Sequence, residues 1–496
     1  MSEQKKVNEK LKEIGKHGFI YGLGTGLESL IQIFLLPVYL NKFSAEEYGI
    51  FSLIQLTAAM AAGFFYLGGT SALTNFYFDF KGNKNILFSN ALFLTLLGSV
   101  LMLGVFWTFG ELILEKILGD AVFIEPYYFL FLSFAISIIN TIYFVLLRLR
   151  KKSKIFVLLK IFSLVSTIVF VLGLLNYMQN KLLATSIGFV LGQTCIFLFL
   201  VFRFRKSVVF SINSNLIKKI LKFGMPLAFS GIIFVATDWI IRFFVSSQLG
   251  LDNLGIYSMA LRFGAIIMAS FIMPFALIWG VVRLQYRHDE NTASFFSQIT
   301  TYYFLIGLLL IFAISVNVDP LFRLLGSSDE YSDCVLLVPI LLFSQLMFGG
   351  INIFDFGICI NNKTIITTGA HLISFFIVLL LSALAIKSNG VFGAAIIHLI
   401  GNFILVSVIF IGANRYFEIK INFQRLLPLL IIFFLFHVFL NYSNIAFGNQ
   451  GVAFSLIKNN FLLVLFIWVS LSHSERLCFL NNLRKYRDLA KIFVKL

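Results

Sequence analysis

Glu28 stands in the middle of an apolar run, YGLGTGLESLIQIFLLPVYL at 21–40, where inserting a carboxylate into a bilayer costs about 2.5–3.5 kcal/mol. Tyr21, Thr25, Glu28 and Gln32 follow one another at intervals of 4, 3 and 4 residues, so they fall on one helix face that should avoid lipid. Other apolar runs repeat the device: Lys160, Ser163 and Thr167; Asp238 and Arg242; Gln345, Asn352 and Asp355; Thr364, Thr368 and His371. Arg262 lies about two turns into its run with no acid within a turn of it on the same helix. Its counter-charge must come from another helix or from a ligand. Glu28 and Asp238 are therefore candidates to take up a proton or a sodium ion. Arg262, Arg242 and Lys160 place cations at successive depths, and a guanidinium pairs phosphate through two parallel hydrogen bonds. Together with Asp355 and Gln32 they are the candidate cavity residues for an anionic, phosphate-bearing substrate.

Each of these residues also has a plainer reading. Asp238 and Arg242 are one turn apart and can neutralise each other as a structural pair. Glu28 can hydrogen-bond to a neighbouring helix in its protonated form. His398 and His437 sit isolated on apolar faces and read as packing residues. Asp355 and His371 fall near the ends of their runs, where solvation at the membrane surface accounts for them.

The elements that must position these groups are membrane spans. Of 496 residues, 59% are hydrophobic and 12% charged, against about a quarter charged in soluble domains. At about 20 residues per span, fourteen candidates centre near residues 30, 59, 97, 136, 165, 193, 235, 267, 307, 346, 375, 402, 433 and 464. Most connections are short, which leaves no room for a soluble domain. With the N-terminus inside, the outer segments hold only Lys42, Lys116, Lys181, Arg323, Lys387 and Lys458 of the 39 Lys and Arg. That asymmetry places both termini in the cytoplasm. The net charge of +16 then reflects topology and contact with anionic inner-leaflet lipids. The basic residues are scattered over short loops with no nucleic-acid-binding fold, so nucleic acid is not an expected partner. Cys195, Cys334, Cys359 and Cys478 have no paired spacing and predict neither disulfides nor a metal site. No G-x-x-x-x-G-K-[ST] run occurs, which argues against direct ATP use, and no cofactor is expected. The N-terminal apolar run is too long for a cleaved signal, so insertion with the N-terminus retained is expected.

Sliding the chain by 206 residues brings EEYGIFS at 46–52 onto DNLGIYS at 252–258 and Lys16 and Gly18 onto Lys222 and Gly224. Six expected spans separate the copies, so both enter the membrane in the same direction. Parallel repeats follow, related by an axis along the membrane normal. The expected architecture is an all-α polytopic membrane protein with two six-helix lobes, 1–212 and 213–412, around a central cavity. Residues 413–496 supply two further helices and a basic cytoplasmic tail, whose 475–496 segment has the spacing of an interfacial helix. Ser44 and Glu47 match a capping box before the second span, and Asp252 is placed to cap the eighth in the same way. Pro37, Pro226 and Pro274 fall inside or at the ends of spans, where they can kink helices.

The run LLPVYLNKFSAEEYGIFSLIQ at 35–55, behind a glycine-rich first helix and a Lys-rich N-terminus, resembles the opening of Wzx-type polysaccharide flippases. The likeness to these members of the multidrug/oligosaccharidyl-lipid/polysaccharide exporter superfamily continues through ILKFGMPLAFSGIIFVATDWIIRFFVSSQLGLDNLGIYSMALRFG at 220–264. The resemblance implies a flippase, not an enzyme, that moves undecaprenyl-pyrophosphate-linked oligosaccharide across the bacterial inner membrane for O-antigen or capsule biosynthesis. It implies alternating access around a cationic cavity, with Arg262 at the sort of position where the family carries a cavity arginine. A lipid-linked oligosaccharide substrate and polysaccharide assembly proteins are the partners it brings. Two alternatives remain open at this point. One is a proton- or sodium-coupled drug or organic-cation antiporter of the same fold. The other is a membrane glycosyltransferase or polysaccharide polymerase, against which the short outer loops argue.

Overall fold

The computed structural model describes residues 34–471, except 79, 119–121, 286–291, 326–328, 332, 362, 364, 420 and 448–451. Glu28, Gln32, the first half of the first span and the 475–496 segment lie outside the described residues. Among the described residues all regular structure is helical. The helices are α1 (Leu36–Lys42), α2 (Ala45–Phe65), α3 (Gly69–Phe76), α4 (Lys84–Thr108), α5 (Gly110–Leu118), α6 (Ile124–Leu149), α7 (Ser153–Tyr177), α8 (Lys181–Phe204) and α9 (Ser214–Leu249). Then come α10 (Leu251–Ile267), α11 (Met273–Gln285), α12 (Thr292–Leu325), α13 (Cys334–Gly349), α14 (Ile351–Phe354), α15 (Phe356–Ile360), α16 (Ile365–Asn414), α17 (Phe423–Phe447) and α18 (Val452–Ser470).

Ten of the described helical stretches are long and apolar enough to cross a membrane. The 50-residue α16 has a non-helical backbone at Gly390, φ 61° and ψ −156°, so its two arms take up the expected spans centred near 375 and 402. A left-handed φ of this kind suits glycine because it has no Cβ to clash. Between α10 and α11 the chain makes a π-helical turn, Met268–Ile272, immediately before Pro274. The missing N–H of a proline inside a helical run is a recognised cause of such local unwinding.

By contact density the chain divides into two compact units, 1–289 with 327–418, and 290–326 with 419–496. In the second, Phe312 of α12 packs against Phe433 and His437 of α17 and Phe466 of α18. The buried Asn459 amide of α18 donates to Val316 O of α12. His437 is thus held between aromatic rings, 4.5 Å from Phe433 and 5.3 Å from Phe312.

The first unit contains the internal repeat, and the two copies meet each other. Ser52 Oγ of α2 donates to Ser258 Oγ of α10 at 2.7 Å, residues 206 apart. Gly49 abuts Leu251 and Gly255, while Gly255 abuts Ala45, the counterpart of Leu251. Each residue therefore touches the equivalent of its partner's neighbour, which is the reciprocity of a two-fold contact. The pairs 49 with 255 and 52 with 258 advance together, so α2 and α10 run in the same direction. Only residues without a Cβ allow backbones this close, and Gly49 and Gly255 supply that condition on both sides.

Helix α2 starts as its sequence foretells: Glu47 N donates to Ser44 Oγ at 3.1 Å and Ser44 N to Glu47 Oε2 at 3.0 Å. The matching cap on α10 does not form. Gly250, with φ 93°, occupies the cap position and offers no side chain, and Asp252 sits in the first turn instead. There its charge favours the helix N-terminus without capping it. Near the start of α2, Glu330 accepts from Ala45 N at 3.0 Å, and buried Tyr331 donates to Ser44 O at 2.9 Å. Burial, with Tyr48 and Glu330 nearby, pushes the Tyr331 phenol well up, so it serves as a donor.

Candidate functional site

The contact between α2 and α10 positions the cations. One turn beyond Ser258, Arg262 projects from α10 toward α1 and α2, where its guanidinium lies 4.5 Å from the Tyr39 ring centre and 5.2 Å from that of Tyr48. Two electron-rich faces stabilise a cation held there. Arg262 Nε donates to the Tyr48 hydroxyl, and Nη2 reaches Gln55 Oε1 at 3.4 Å. Nη1 is buried and has no hydrogen-bond partner among the described residues. No carboxylate among the described residues forms a salt bridge with Arg262. The counter-charge that the sequence demands is thus not supplied by this surround of neutral groups.

Arg242 approaches the same space from α9. Its Nη2 pairs with Asp238 Oδ2 at 3.2 Å and its Nη1 reaches Ser52 O at 3.4 Å. Its Nε has no partner among the described residues. Tyr48, Ser52, Gln55, Arg242, Ser258 and Arg262 line a cavity of about 230 Å3. Two guanidinium groups therefore line one volume, and each also keeps a buried N–H without a partner among the described residues, an arrangement suited to the oxygens of a phosphate or pyrophosphate.

Arg242 also lines a second cavity, of about 270 Å3, with Asp238 and Thr237 of α9, Gln345 of α13, and His371, His398 and Asn402 of α16. Ser344 Oγ bonds His398 Nδ1 at 2.8 Å and accepts from Asn402 Nδ2 at 2.9 Å. Asp238 Oδ1 is buried without a partner among the described residues. An anion entering the first cavity would compete with Asp238 for Arg242. The carboxylate so released faces the second cavity with two imidazoles.

The remaining sequence candidates are elsewhere. Lys160 lies over the Phe144 ring at 4.1 Å, and its companion Thr167 is buried against Gly192 of α8. Within this stripe Lys160 thus faces α6 and Thr167 faces α8. Asp355 pairs with Arg283 Nη1 at 2.5 Å and accepts from Cys359 Sγ at 3.2 Å. Neither Lys160 nor Asp355 lines the two cavities. Tyr48, Gln55, His398 and Arg283 were not singled out by sequence as site residues. Tyr48 and Gln55 stand in the run at 35–55, and the 206-residue offset that pairs α2 with α10 is the signal that brings them opposite Arg262.

The fold is shared with solved transporters. The lipid II flippase MurJ in an inward closed conformation superimposes with a TM-score of 0.67 at 15% identity, covering 94% of this chain and 98% of that one. An inward-facing multidrug resistance transporter of the MATE family, in the MOP superfamily, gives a TM-score of 0.60 at 16% identity, with 82% and 94% covered. Protein 1 of the Lsg locus of Haemophilus influenzae is 24% identical over 263 residues, 51% of this chain. The chain spans 62% of that relative's length. The family model described as polysaccharide biosynthesis protein matches residues 14–279, more than half of the chain. This all-helical, multi-pass membrane protein with a transporter fold thus belongs to the polysaccharide biosynthesis protein family.

Proposed function

We propose that the chain is a flippase that carries undecaprenyl-pyrophosphate-linked oligosaccharide units from the inner to the outer leaflet of the bacterial inner membrane. The product would feed a surface polysaccharide such as O-antigen or capsule, alongside polysaccharide assembly proteins. The observation that carries this reading is the pair Arg242 and Arg262 on one cavity beside the contact between repeat-equivalent helices. In this reading both guanidinium groups hold the pyrophosphate, the hydrated sugar occupies polar space that about 30 Å of hydrocarbon denies it, and the prenyl tail stays in lipid. The two six-helix lobes at 1–212 and 213–412 rock about their seam, with both termini in the cytoplasm. Asp238 and Glu28 are the proposed coupling carboxylates, and Gln32 belongs to the same polar lining.

Complementation of a flippase-deficient strain with defined glycan repeats tests the proposal. Wild-type chain is expected to restore polymer at the cell surface, and Arg262→Ala to lower it at least about tenfold, as the loss of a charged hydrogen bond implies. Full restoration by Arg262→Ala, at equal protein level, would sink the assignment.

A second reading has one observation in its favour. Asp238 Oδ1 has no partner among the described residues and its carboxylate lines a cavity with His371 and His398, and such a group suits an ion-coupled exporter of organic cations. Uptake of an organic cation into proteoliposomes, driven by a proton or sodium gradient and abolished by Asp238→Asn, would favour it over the flippase.

A further inference from the structure

The segment between α8 and α9 is bound to the first unit at alternate residues. Ser207 Oγ accepts from Arg150 Nη1 at 3.0 Å. Val209 N donates to Ser89 Oγ at 2.8 Å, Ser211 O accepts from Asn90 Nδ2 at 2.9 Å, and Asn213 N donates to Asn90 Oδ1 at 2.9 Å. Arg150 is itself fixed by Asn85 Oδ1 at 3.0 Å. Ser211 N also donates to Val209 O at 2.8 Å, a three-residue turn centred on Phe210, and the segment fixed by these bonds leaves the side chains of Phe210 and Ile212 outside it. Phe210 is fully exposed, at 103%, and Ile212 is 68% exposed.

An apolar pair held out by polar bonds is not a core residue that failed to find cover. Arg203, Arg205, Lys206, Lys218, Lys219 and Lys222 flank it in the sequence, all exposed, and no Asp or Glu occurs between 203 and 222. We infer that Phe210 and Ile212 insert into the interfacial layer of an anionic phospholipid leaflet, with the flanking Lys and Arg bound to its headgroups. Charge selects this occupant. Each Lys or Arg near an anionic leaflet contributes about 1 kcal/mol, and an aromatic residue at headgroup depth is favourable. Because the segment joins the sequence copies of the repeat, it would fix the connection between them to the membrane surface. The inference uses neither the cavity nor its substrate, so it stands apart from the proposed flippase activity.

The test uses the full chain in nanodiscs with Phe210→Trp as the only tryptophan, Trp107, Trp239, Trp279 and Trp468 being replaced by Phe. Lipids brominated near the headgroup quench indole that lies at that depth. Expected is blue-shifted emission and quenching about fivefold stronger in anionic than in zwitterionic discs, the factor corresponding to about 1 kcal/mol. Replacing Arg205 and Lys206 by Gln should remove most of that difference. Tyr177→Trp in the same tryptophan-free background supplies an exposed reference at the far end of α7, where no such preference for anionic lipid is expected. Water-like emission without quenching at position 210, or equal quenching there in both lipids, would overturn the inference. So would protection of the introduced indole only in crude membranes, which would point to a protein partner.

Discussion

Arg242 belongs to two cavities at once, and its ion-pair partner sets what it can offer to either. With Asp238 Oδ2 at 3.2 Å, part of its donor capacity is already used, whereas Arg262 is surrounded by Tyr39, Tyr48 and Gln55 and keeps Nη1 free of described partners. Removing the competing carboxylate should therefore strengthen anion binding. Asp238→Asn is expected to tighten the affinity of the purified protein for a short-chain lipid pyrophosphate by roughly three- to tenfold, within the range of about 0.5–1.5 kcal/mol for one ordinary hydrogen bond. Weaker binding would mean instead that Asp238 aims Arg242 at the ligand. Arg262 was legible in the sequence because an unpaired cation in an apolar run demands a partner. His398 was not, since periodicity marks the apolar face of a helix but not which neighbour opens a cavity against it. Arg283 was hidden for a related reason: at the end of a span it reads as one more inside-facing charge, and only folding brings it to Asp355.

Helix α10 holds Arg262 against α2 because the two helices can approach closely. Gly49 and Gly255 leave no space for a larger residue, since an added Cβ would meet the opposite backbone. Gly255→Val is expected to destabilise the protein by about 1–3 kcal/mol, the usual effect of overpacking, and to lower its thermal midpoint in detergent. An unchanged midpoint would show that the contact opens without cost. The 206-residue offset suggested parallel repeats from only a few identities, and the contact of equivalent residues such as Ser52 and Ser258 is what the structure adds. The same offset misled at Asp252, where the first copy's Ser44 has no counterpart that can cap and Gly250 turns the chain instead. Apolar length marked the ten long apolar helical stretches among the described residues, the two arms that α16 joins across Gly390 included. The packing of Thr167 against Gly192 of α8 was not legible, as a small polar stripe looks alike whether it faces water or another helix.

At the scale of the whole molecule, the family match and the transporter fold describe a membrane protein in which sequence repeats meet beside polar cavities. A flippase for a lipid pyrophosphate and an exporter of organic cations would use that framework with opposite charge preference. In the proposed reading Arg242 and Arg262 on one cavity select the anion, specificity being a difference between two affinities. The most direct measurement is equilibrium binding of a short-chain prenyl pyrophosphate to the purified full chain, with and without Arg262→Ala, in competition with an organic cation. Saturable binding that falls about tenfold or more in the variant, and is indifferent to the cation, is the expected result; equal binding by both proteins, or displacement by the cation, would contradict it.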